Sequence, residues 1–565
     1  MAVHDEPMTG TEAAGASRSL PGAFPFSMAL ALLIGVLPFF VAEFGVGLFM
    51  ETTWEEAWSL WHNTFLDFKG HLVDPGLLGH NLQYRVNFLA FKLWGVERWQ
   101  EALIHLEVAR FFPIVFFFVT FWTVCRTASR FFSWQAGVVA VVILASTPVV
   151  MDQAYVLRSY SVSLMLTALL VHAFLACLDR PGAVAAMAVG LLSGLLMYSV
   201  ISNVYIILSL GMLVLVLHGL EDRKAGGWRN WLSNFLLACT PWRWNASWLS
   251  GHRYLVLGAW LVLGTAFAIC LYVPGMSYYG PESLLHARGT GSKGLFAGTA
   301  APVLLQSASQ FFVFRWLPMA GLALVGMTLL LRGERRPVAP RPAGGVGVRR
   351  VYVVLLTVMF GPFLLSCMRG DEPVLRYFMA GYVGWVLILG NLLGHPLASR
   401  QLSRRAQGAV LLFFVGGMYA GGMAYLDRLA HAQLLEHNGV DGAEERFMPF
   451  ADGFFRPREV FASLVRDYPA NMPRVVFNPI TSSGMQGDKY TLRLLLMLHD
   501  MEDRERLYPG DLGRLGDAPE IVILAYHARK VMNAVRQRDP RRHCVLQNGG
   551  RTVPELLLCR LDGAK

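Results

Sequence analysis

Residues 161–178 read SVSLMLTALLVHAFLACL, a run that contains no Asp, Glu, Lys or Arg. An α-helix rises about 1.5 Å per residue, so this run would be about 27 Å long, close to the thickness of a bilayer's hydrocarbon core. Apolar runs of this kind recur between residues 26 and 427. They predict eleven membrane-spanning helices, at approximately residues 26–48, 109–127, 134–151, 161–178, 182–199, 203–220, 254–275, 314–332, 351–368, 376–395 and 408–427.

Charged residues divide the chain of 565 residues into two parts. They make up only 16% of the chain, whereas soluble domains carry about 25%, and the mean hydropathy is +0.43. Residues 428–565 hold 38 of the 88 charged residues. We therefore expect a mainly α protein, in which a cytoplasmic tail at 1–25 and a polytopic helix bundle at 26–427 precede a soluble domain at 428–565. This composition excludes a soluble cytosolic enzyme.

The distribution of positive charge predicts how the chain crosses the membrane. Of the net charge of +10, eight charges belong to the bundle. With Met1 in the cytoplasm, the short inside loops hold 17 Lys and Arg against four acids, as the positive-inside rule requires. An odd number of spans then places the tail from Arg428 outside the inner (cytoplasmic) membrane. Because the charge orients helices, we expect no nucleic acid partner.

The tail has the pattern of a small α/β unit. Two short strands and a helix between them are predicted at 474–478, 520–525 and 491–498. Cys544 and Cys559 bracket an Asn-Gly pair that favours a hairpin turn. In an oxidising compartment these cysteines are expected to form a disulfide; two unlinked thiols are the alternative.

The first outside loop, residues 51–107, contains a predicted interfacial helix. Its aromatic residues share one helical face: Trp54, Trp58, Trp61, Phe65 and Phe68. Glu55 lies on the opposite side with Glu56 beside it, so two carboxylates are held at the membrane surface. They are either catalytic or simply a solvated face.

A second helix is predicted at residues 79–94 of the same loop, also in the interface. It offers His80, Arg85 and Lys92 at the level of the lipid headgroups. Cations that only anchor the helix by snorkelling are the alternative, favoured for Lys92.

Several of these segments resemble the GT-C membrane glycosyltransferases, which include the protein O-mannosyltransferases and the aminoarabinose transferases of lipid A. ETTWEEAW at 51–58 resembles their acidic first-loop motif, and GHNLQY at 79–84 resembles their His-Pro-Pro-Leu-Tyr-Tyr stretch. The remaining similar positions are Leu93-Trp-Gly95, Arg110, DQAYVLRSYS at 152–161 and LRYF at 375–378. The resemblance covers residues 26–220 well, 350–395 weakly and the tail not at all.

The resemblance implies a site at the outer ends of the spans. It assigns Glu55, with Glu56 as the alternate, to the family's acidic position, where Asp is usual. Donor phosphate and sugar would be bound by His80, Arg85, Arg158, Tyr160, Arg376 and Tyr377. Asn81-Leu82 replaces the family's Pro-Pro pair, which indicates a reshaped loop around His80.

The implied reaction is sugar transfer outside the cytoplasm. Nucleotide sugars are absent there, so the donor would be a polyprenyl-phosphate-linked sugar and the acceptor a protein, glycan or lipid. Inverting transfer, of a hexosyl or pentosyl group, needs a carboxylate base for the acceptor's proton and cations for the departing phosphate. Some relatives also use a divalent cation at the first-loop acids; this sequence leaves that open and shows no zinc spacing.

Two other functions stay open. A transporter or flippase of lipid-linked saccharide would show acids at mid-membrane and two similar halves, whereas here the charges cluster at the outer surface and no repeat is visible. The second alternative is a family member without catalysis that acts as a binding or assembly protein, because Glu replaces the family's Asp.

Overall fold

The computed structural model is mainly helical. It describes residues 23–41, 81–96, 106–147, 150, 157, 159–221, 228–279, 347–369, 379–398, 403–432, 474–478, 519–525, 532–533, 535–537, 539–547 and 555–561. Thirteen α-helices and four strands lie in these ranges. The helices are α1 (Ala23–Phe40), α2 (Asn81–Leu93), α3 (Leu106–Phe131), α4 (Trp134–Ala145), α5 (Tyr160–Asp179), α6 (Ala183–Ser199), α7 (Val204–Glu221), α8 (Trp228–Ala238), α9 (Ala246–Gly251), α10 (Arg253–Tyr279), α11 (Val348–Arg369), α12 (Tyr382–Ala398) and α13 (Arg404–Ala432).

Seven of the described helices are long and apolar enough to cross a membrane, namely α3, α5, α7, α10, α11, α12 and α13. Helices α4 and α6 are shorter but also apolar. The helix predicted in the interface at 79–94 is present as α2. The span predicted at 314–332 and the helix predicted around Glu55 lie outside the described residues, so the count of eleven spans stays a prediction.

The span predicted at 134–151 is shorter than expected, because α4 ends at Ala145. The hydroxyls of Ser146 and Thr147 hydrogen-bond to the carbonyl oxygens of the last helical turn. The next residue is Pro148, which disfavours helical backbone at the residue before it. Apolar composition predicted the span, but this Ser-Thr-Pro sequence decides where the helix stops.

Glycine lets neighbouring helices approach closely. Gly190 and Gly194 of α6 lie against Trp260 and Gly264 of α10. A Cβ on Gly264 would collide with Ser193 and with the backbone of Gly190. Small residues spaced four apart are typical of membrane helix interfaces, because packing replaces the hydrophobic driving force inside a bilayer.

A second small-residue interface joins α12 to α4. Gly390 and Gly394 lie against Ala136 and Ala140, and a side chain on either glycine would meet the α4 backbone. Gly390 lies beside Ala140, and Gly394 lies beside Ala136, so the two helices run antiparallel. Helix α12 is accordingly the most enclosed of the described candidate spans, because 89% of its most apolar stretch is buried.

The first and last helices of the bundle run in the same direction. Gly35 of α1 lies beside Val415 of α13, and Phe39, one turn further on, packs against Gly422. A chain whose first and last spans are parallel crosses the membrane an odd number of times. The sides of the membrane on which Met1 and the tail lie stay a prediction.

Two ends of the bundle can be distinguished. At one end the Arg130 guanidinium at the close of α3 forms a 2.9 Å salt bridge with Asp179 at the close of α5. We call this the Arg130 end. The opposite end, where α5 begins, we call the Tyr160 end. Deeper between α3 and α5, the His172 ring shares a 2.8 Å hydrogen bond with the Thr127 hydroxyl.

The described part of the tail is a four-stranded sheet of order β1-β2-β4-β3. Its strands are β1 (Arg474–Asn478), β2 (Glu520–Ala525), β3 (Arg542–Gln547) and β4 (Glu555–Leu561). Strands β1 and β2 are the two predicted from the sequence, and they pair in parallel. The helix predicted at 491–498 lies outside the described residues.

A disulfide joins the edge strand β3 to its neighbour β4. Cys544 of β3 lies directly opposite Cys559 of β4 in an antiparallel pair, and the two sulfur atoms are bonded. The disulfide predicted from the spacing of these cysteines is therefore present. The two cysteines pack in the same apolar cluster as the buried side chains of Ile521 and Leu557.

Candidate functional site

Polar and basic side chains collect at the Tyr160 end of the bundle. Of the site residues predicted from the sequence, Arg85 and Tyr160 belong to the described part of the chain. The others, Glu55, Glu56, His80, Arg158, Arg376 and Tyr377, lie outside the described residues.

Arg85 is held over an aromatic pair. Its guanidinium carbon lies 5.1 Å from the centre of the Tyr198 ring, within the range of a cation–π contact. The Tyr198 ring in turn lies 5.3 Å from the Tyr272 ring. The Tyr272 hydroxyl donates to the backbone carbonyls of Met197 (3.1 Å) and Tyr198 (3.3 Å), which fixes α10 to the last turn of α6.

Helix α2 also carries a pair of buried amide side chains close to Arg85 in the sequence. Gln83 and Asn87 are both fully buried, and the Gln83 amide donates a 2.7 Å hydrogen bond to the Asn87 side-chain oxygen. The remaining oxygen of Gln83 and the remaining amide of Asn87 form no hydrogen bond with the described residues. Because α2 packs on α3 and α6, this pair places one acceptor and one donor within the bundle at its Tyr160 end.

Arg110 lies on α3 near the same end and is only 1% exposed. The family resemblance places an arginine at the start of the second span, and this residue occupies that position. A buried guanidinium is costly unless it is satisfied, and Arg110 does have interaction partners. Its burial indicates a fixed charge at this end of the bundle.

Three hydroxyl and amide side chains tie the ends of α5, α6 and α7 together. The Ser163 and Ser199 hydroxyls share a 2.9 Å hydrogen bond. The Asn203 amide donates to the Ser163 oxygen (3.0 Å) and to the Leu196 carbonyl (3.0 Å), and it lies 3.2 Å from the Ser199 oxygen. Since all of these groups are buried, the network holds the three helix ends in one arrangement.

A small pocket opens beside this network. Its volume of about 10 Å³ is about what one water-sized group needs. The residues that line it come from α5, the turn between α6 and α7, and the turn before α12: Tyr160, Ser163, Val200, Ser202, Asn203, Met379 and Ala380. The predicted residues Arg158, Arg376 and Tyr377 come within three residues of Tyr160 or Met379 in the sequence.

The two predicted site residues that the structure describes, Arg85 and Tyr160, both lie near this network. Arg85 contacts Tyr198, the next residue is Ser199, and Ser199 bonds to Ser163, which lines the pocket together with Tyr160. Residues separated by 75 positions in the sequence thus belong to one polar region. Within the described part of the chain, no three His, Cys, Asp or Glu side chains are grouped to hold a metal ion.

Sequence reasoning missed most of the polar partners in this region. Gln83 and Asn87 are spaced four apart on a helix that was predicted, so their shared face could have been noticed. Ser199, Ser202 and Asn203 form a short polar interruption between two apolar runs. The spans predicted at 182–199 and 203–220 assign that interruption only the role of a turn.

No family model and no curated protein matches the sequence. Solved structures do resemble the model. ArnT from Cupriavidus metallidurans bound to undecaprenyl phosphate superposes with a TM-score of 0.52 and 12% identity, over 96% of this chain and 99% of that chain. Its apo state gives 0.53 and 11% over the same shares.

A third structure, the oligosaccharyltransferase AglB from Archaeoglobus fulgidus in complex with an inhibitory peptide and a dolichol-phosphate, gives a TM-score of 0.44 and 12% identity. That match covers 94% of this chain and 74% of AglB. ArnT is a GT-C aminoarabinose transferase, and its likeness extends over nearly the full length of both chains. The chain has the fold of the GT-C membrane glycosyltransferases, as the first-loop motifs predicted.

Proposed function

We propose that this protein is a membrane glycosyltransferase that moves a sugar from a polyprenyl-phosphate-linked donor to an extracytoplasmic acceptor. The observation that carries the proposal is the set of polar side chains at one end of the bundle, where Arg85 contacts Tyr198 and the neighbouring Ser199 network adjoins the pocket lined by Tyr160. The structure of ArnT with undecaprenyl phosphate shows that this fold can hold such a lipid. An end-facing site suits a donor whose phosphate lies at the membrane surface.

Transfer would proceed with inversion at the anomeric carbon. The acceptor's oxygen attacks that carbon while Glu55 takes the proton from the acceptor. The bond between the carbon and the donor phosphate oxygen breaks, and its electron pair leaves with the polyprenyl phosphate. Glu56 is the alternate base, because the two carboxylates are adjacent in the first outside loop.

Positive and hydrogen-bonding groups would stabilise the leaving phosphate. Arg158 and Arg376 are proposed for this role because the fork of a guanidinium fits phosphate oxygens. In the sequence they precede the pocket-lining residues Tyr160 and Met379 by two and three positions. Arg85 is proposed to contact the donor from α2, on the other side of the Ser199 network.

The remaining predicted contacts are His80, Tyr160 and Tyr377, which would bind the donor's sugar or phosphate. A divalent cation at the first-loop acids would supply further positive charge next to the phosphate. The acceptor is a protein, a glycan or a lipid on the outer side of the membrane.

The proposed location is the cytoplasmic membrane, with Met1 inside and residues 428–565 outside. Two observations support this orientation. Helices α1 and α13 are parallel, as an odd number of crossings requires. The tail contains the Cys544–Cys559 disulfide, which is typical of oxidising compartments.

The function is tested by incubating the purified full-length protein with radiolabelled polyprenyl phosphate sugars and a membrane extract. A labelled product that requires both the donor and the protein is expected. Movement of intact lipid-linked sugar between leaflets of a proteoliposome, without any transfer, would instead indicate a flippase. Absence of both reactions, together with specific capture of the lipid, would indicate a binding protein.

A further inference from the structure

The pocket beside Tyr160 lies where three helices begin. Helix α5 starts at Tyr160, which lines the pocket. The 3₁₀ turn Ile201–Asn203 leads into α7, and a second 3₁₀ turn at 379–381 leads into α12. The positive ends of three helix dipoles therefore converge on one small volume. Such ends favour negatively charged groups.

The hydroxyl of one pocket-lining residue, Ser202, has no hydrogen-bond partner among the described residues. Ser202 is 7% exposed, lines the pocket, and its Oγ forms no hydrogen bond with any residue that the structure describes. A buried hydroxyl without a hydrogen bond costs free energy. Ser202 therefore has a donor available for a group that enters the pocket.

The neighbouring Asn203 does not compete for that group. Its amide already donates to Ser163 and to the Leu196 carbonyl. Its contribution is to hold the ends of α5, α6 and α7 together, and with them the Ser202 backbone. Among the described residues, Ser202 thus offers the pocket a hydroxyl that forms no hydrogen bond, while Asn203 is a positioning residue.

The remaining lining favours the oxygen of an anion attached to an apolar chain. The described residues that line the pocket include no Asp or Glu, so nothing there repels negative charge. Val200, Met379 and Ala380 give the pocket an apolar side. Its volume of about 10 Å³ has room for one oxygen rather than for a whole sugar.

From these features we infer that the pocket receives one phosphoryl oxygen of the lipid carrier, with the Ser202 hydroxyl as its hydrogen-bond donor. The inference rests on the proposed function, because it assigns a new contact to the same donor. Arg158 and Arg376 are already proposed to bind the phosphate. The inference adds an uncharged binding site for one phosphoryl oxygen, formed at the N-termini of three helices.

The experiment measures lipid binding rather than transfer. Full-length protein in detergent is titrated with undecaprenyl phosphate, with neutral undecaprenol and with inorganic phosphate, and bound ligand is counted by native mass spectrometry. Ser202→Ala removes only the hydroxyl. Thr167→Val is the matched control, because the Thr167 hydroxyl is also buried and without a hydrogen bond to the described residues, but it does not line the pocket.

We expect Ser202→Ala to weaken undecaprenyl phosphate binding by roughly tenfold or more, the usual effect of losing a hydrogen bond to a charged group. Thr167→Val should bind like the wild type, and undecaprenol binding should be the same in all three proteins. The Ser202→Ala protein should unfold at the wild-type temperature or above it without lipid, because the lost hydroxyl had no partner. If it does not fold, Ser202→Cys replaces it in the titration.

Equal binding of undecaprenyl phosphate by the wild type and Ser202→Ala would overturn the inference and assign the pocket to a structural water. That result would leave the proposed function intact, since the carrier still binds. Inorganic phosphate that binds as tightly as the lipid, and depends on Ser202, would overturn the lipid assignment in favour of free phosphate. A wild-type protein that binds no undecaprenyl phosphate and transfers no sugar would reject both proposals.

Discussion

The guanidinium of Arg85 stacks on the ring of Tyr198, with 5.1 Å between the guanidinium carbon and the ring centre. Arg85 belongs to α2 and Tyr198 to the end of α6, so this contact joins α2 to the last turn of α6. The next residue after Tyr198 is Ser199, which belongs to the network beside the pocket. Arg85 therefore contacts the residue that precedes this network in the sequence.

Arg85→Ala should lower the affinity for the donor and loosen α2 on the bundle. Arg85→Lys keeps the charge but loses the flat stacking surface and the paired N–H groups. We expect the Lys variant to recover membrane expression and only part of the donor affinity. Titration with undecaprenyl phosphate measures the affinity, and full recovery by Lys would show that charge alone matters at this position.

The Gly264 position should not tolerate a side chain. A Cβ there collides with Ser193 and with the Gly190 backbone, so Gly264→Val should destabilise the protein by about 1–3 kcal/mol, the usual cost of overpacking. Gly211 of α7 has no atom within 4 Å of its added Cβ. Gly211→Ala is therefore the control, and thermal unfolding in detergent should show it unchanged or slightly stabilised.

The sequence predicts the features that depend on neighbouring residues better than those that depend on residues far apart in the chain. The α2 helix and the strands β1 and β2 were predicted because each has its own periodicity or apolar run. The predicted end of the span at residue 151 was wrong, because the apolar composition extends past the Ser-Thr-Pro sequence at which α4 stops. The pocket could not be predicted, because Tyr160, Ser202 and Met379 are far apart in the sequence and meet only through helix packing.

The roles of Arg158 and Arg376 stay predictions from the sequence, because both residues lie outside the described part of the chain. The predicted topology and the family resemblance indicate both arginines, and both precede residues that line the pocket. Arg376→Ala should reduce donor affinity, turnover or both, because it removes positive charge from the leaving phosphate. Transfer assays at several donor concentrations separate the two effects. Wild-type kinetics in this variant would remove Arg376 from the site.

The tail is expected to carry an oxidised Cys544–Cys559 pair in the mature protein. The two residues face each other across an antiparallel pair of strands, where the bond closes a loop of 15 positions. Peptide mapping by mass spectrometry without reduction should recover the linked peptides. Removing a native disulfide from a small domain usually costs about 2–5 kcal/mol, so Cys544→Ser together with Cys559→Ser should make the tail more sensitive to protease.

The direction of α1 and α13 leads to a prediction of topology. Because they are parallel, a reporter that is active only in the cytoplasm should be silent when fused after Lys565 and active when fused before Met1. The reverse fusions with a reporter that needs export should give the opposite pattern. Cytoplasmic reporters that are active at both ends would mean an even number of spans and would contradict the parallel arrangement of α1 and α13. A cytoplasmic reporter that is active only at Lys565 would mean that the bundle is inverted, and it would move the proposed site to the cytoplasmic side of the membrane.

Glu55 is the most decisive residue for the proposed chemistry. Glu55→Gln preserves the size of the side chain and much of its hydrogen bonding, but it removes the charge that accepts the acceptor's proton. Folding and membrane insertion should survive, and transfer should fall by about 10²- to 10⁴-fold, the usual contribution of a general base. Binding of undecaprenyl phosphate should persist in this variant, because the phosphate is assigned to other residues.

Glu56→Gln is the matched control, because it makes the same chemical change one residue later in the same loop. The family resemblance assigns the acidic position to Glu55, so Glu56→Gln should keep most of the transfer activity. A large loss in Glu56→Gln with little loss in Glu55→Gln would shift the base by one residue and keep the mechanism. Wild-type transfer in both variants, at normal expression, would make these carboxylates a solvated helix face. The catalytic base would then have to be sought elsewhere in the chain.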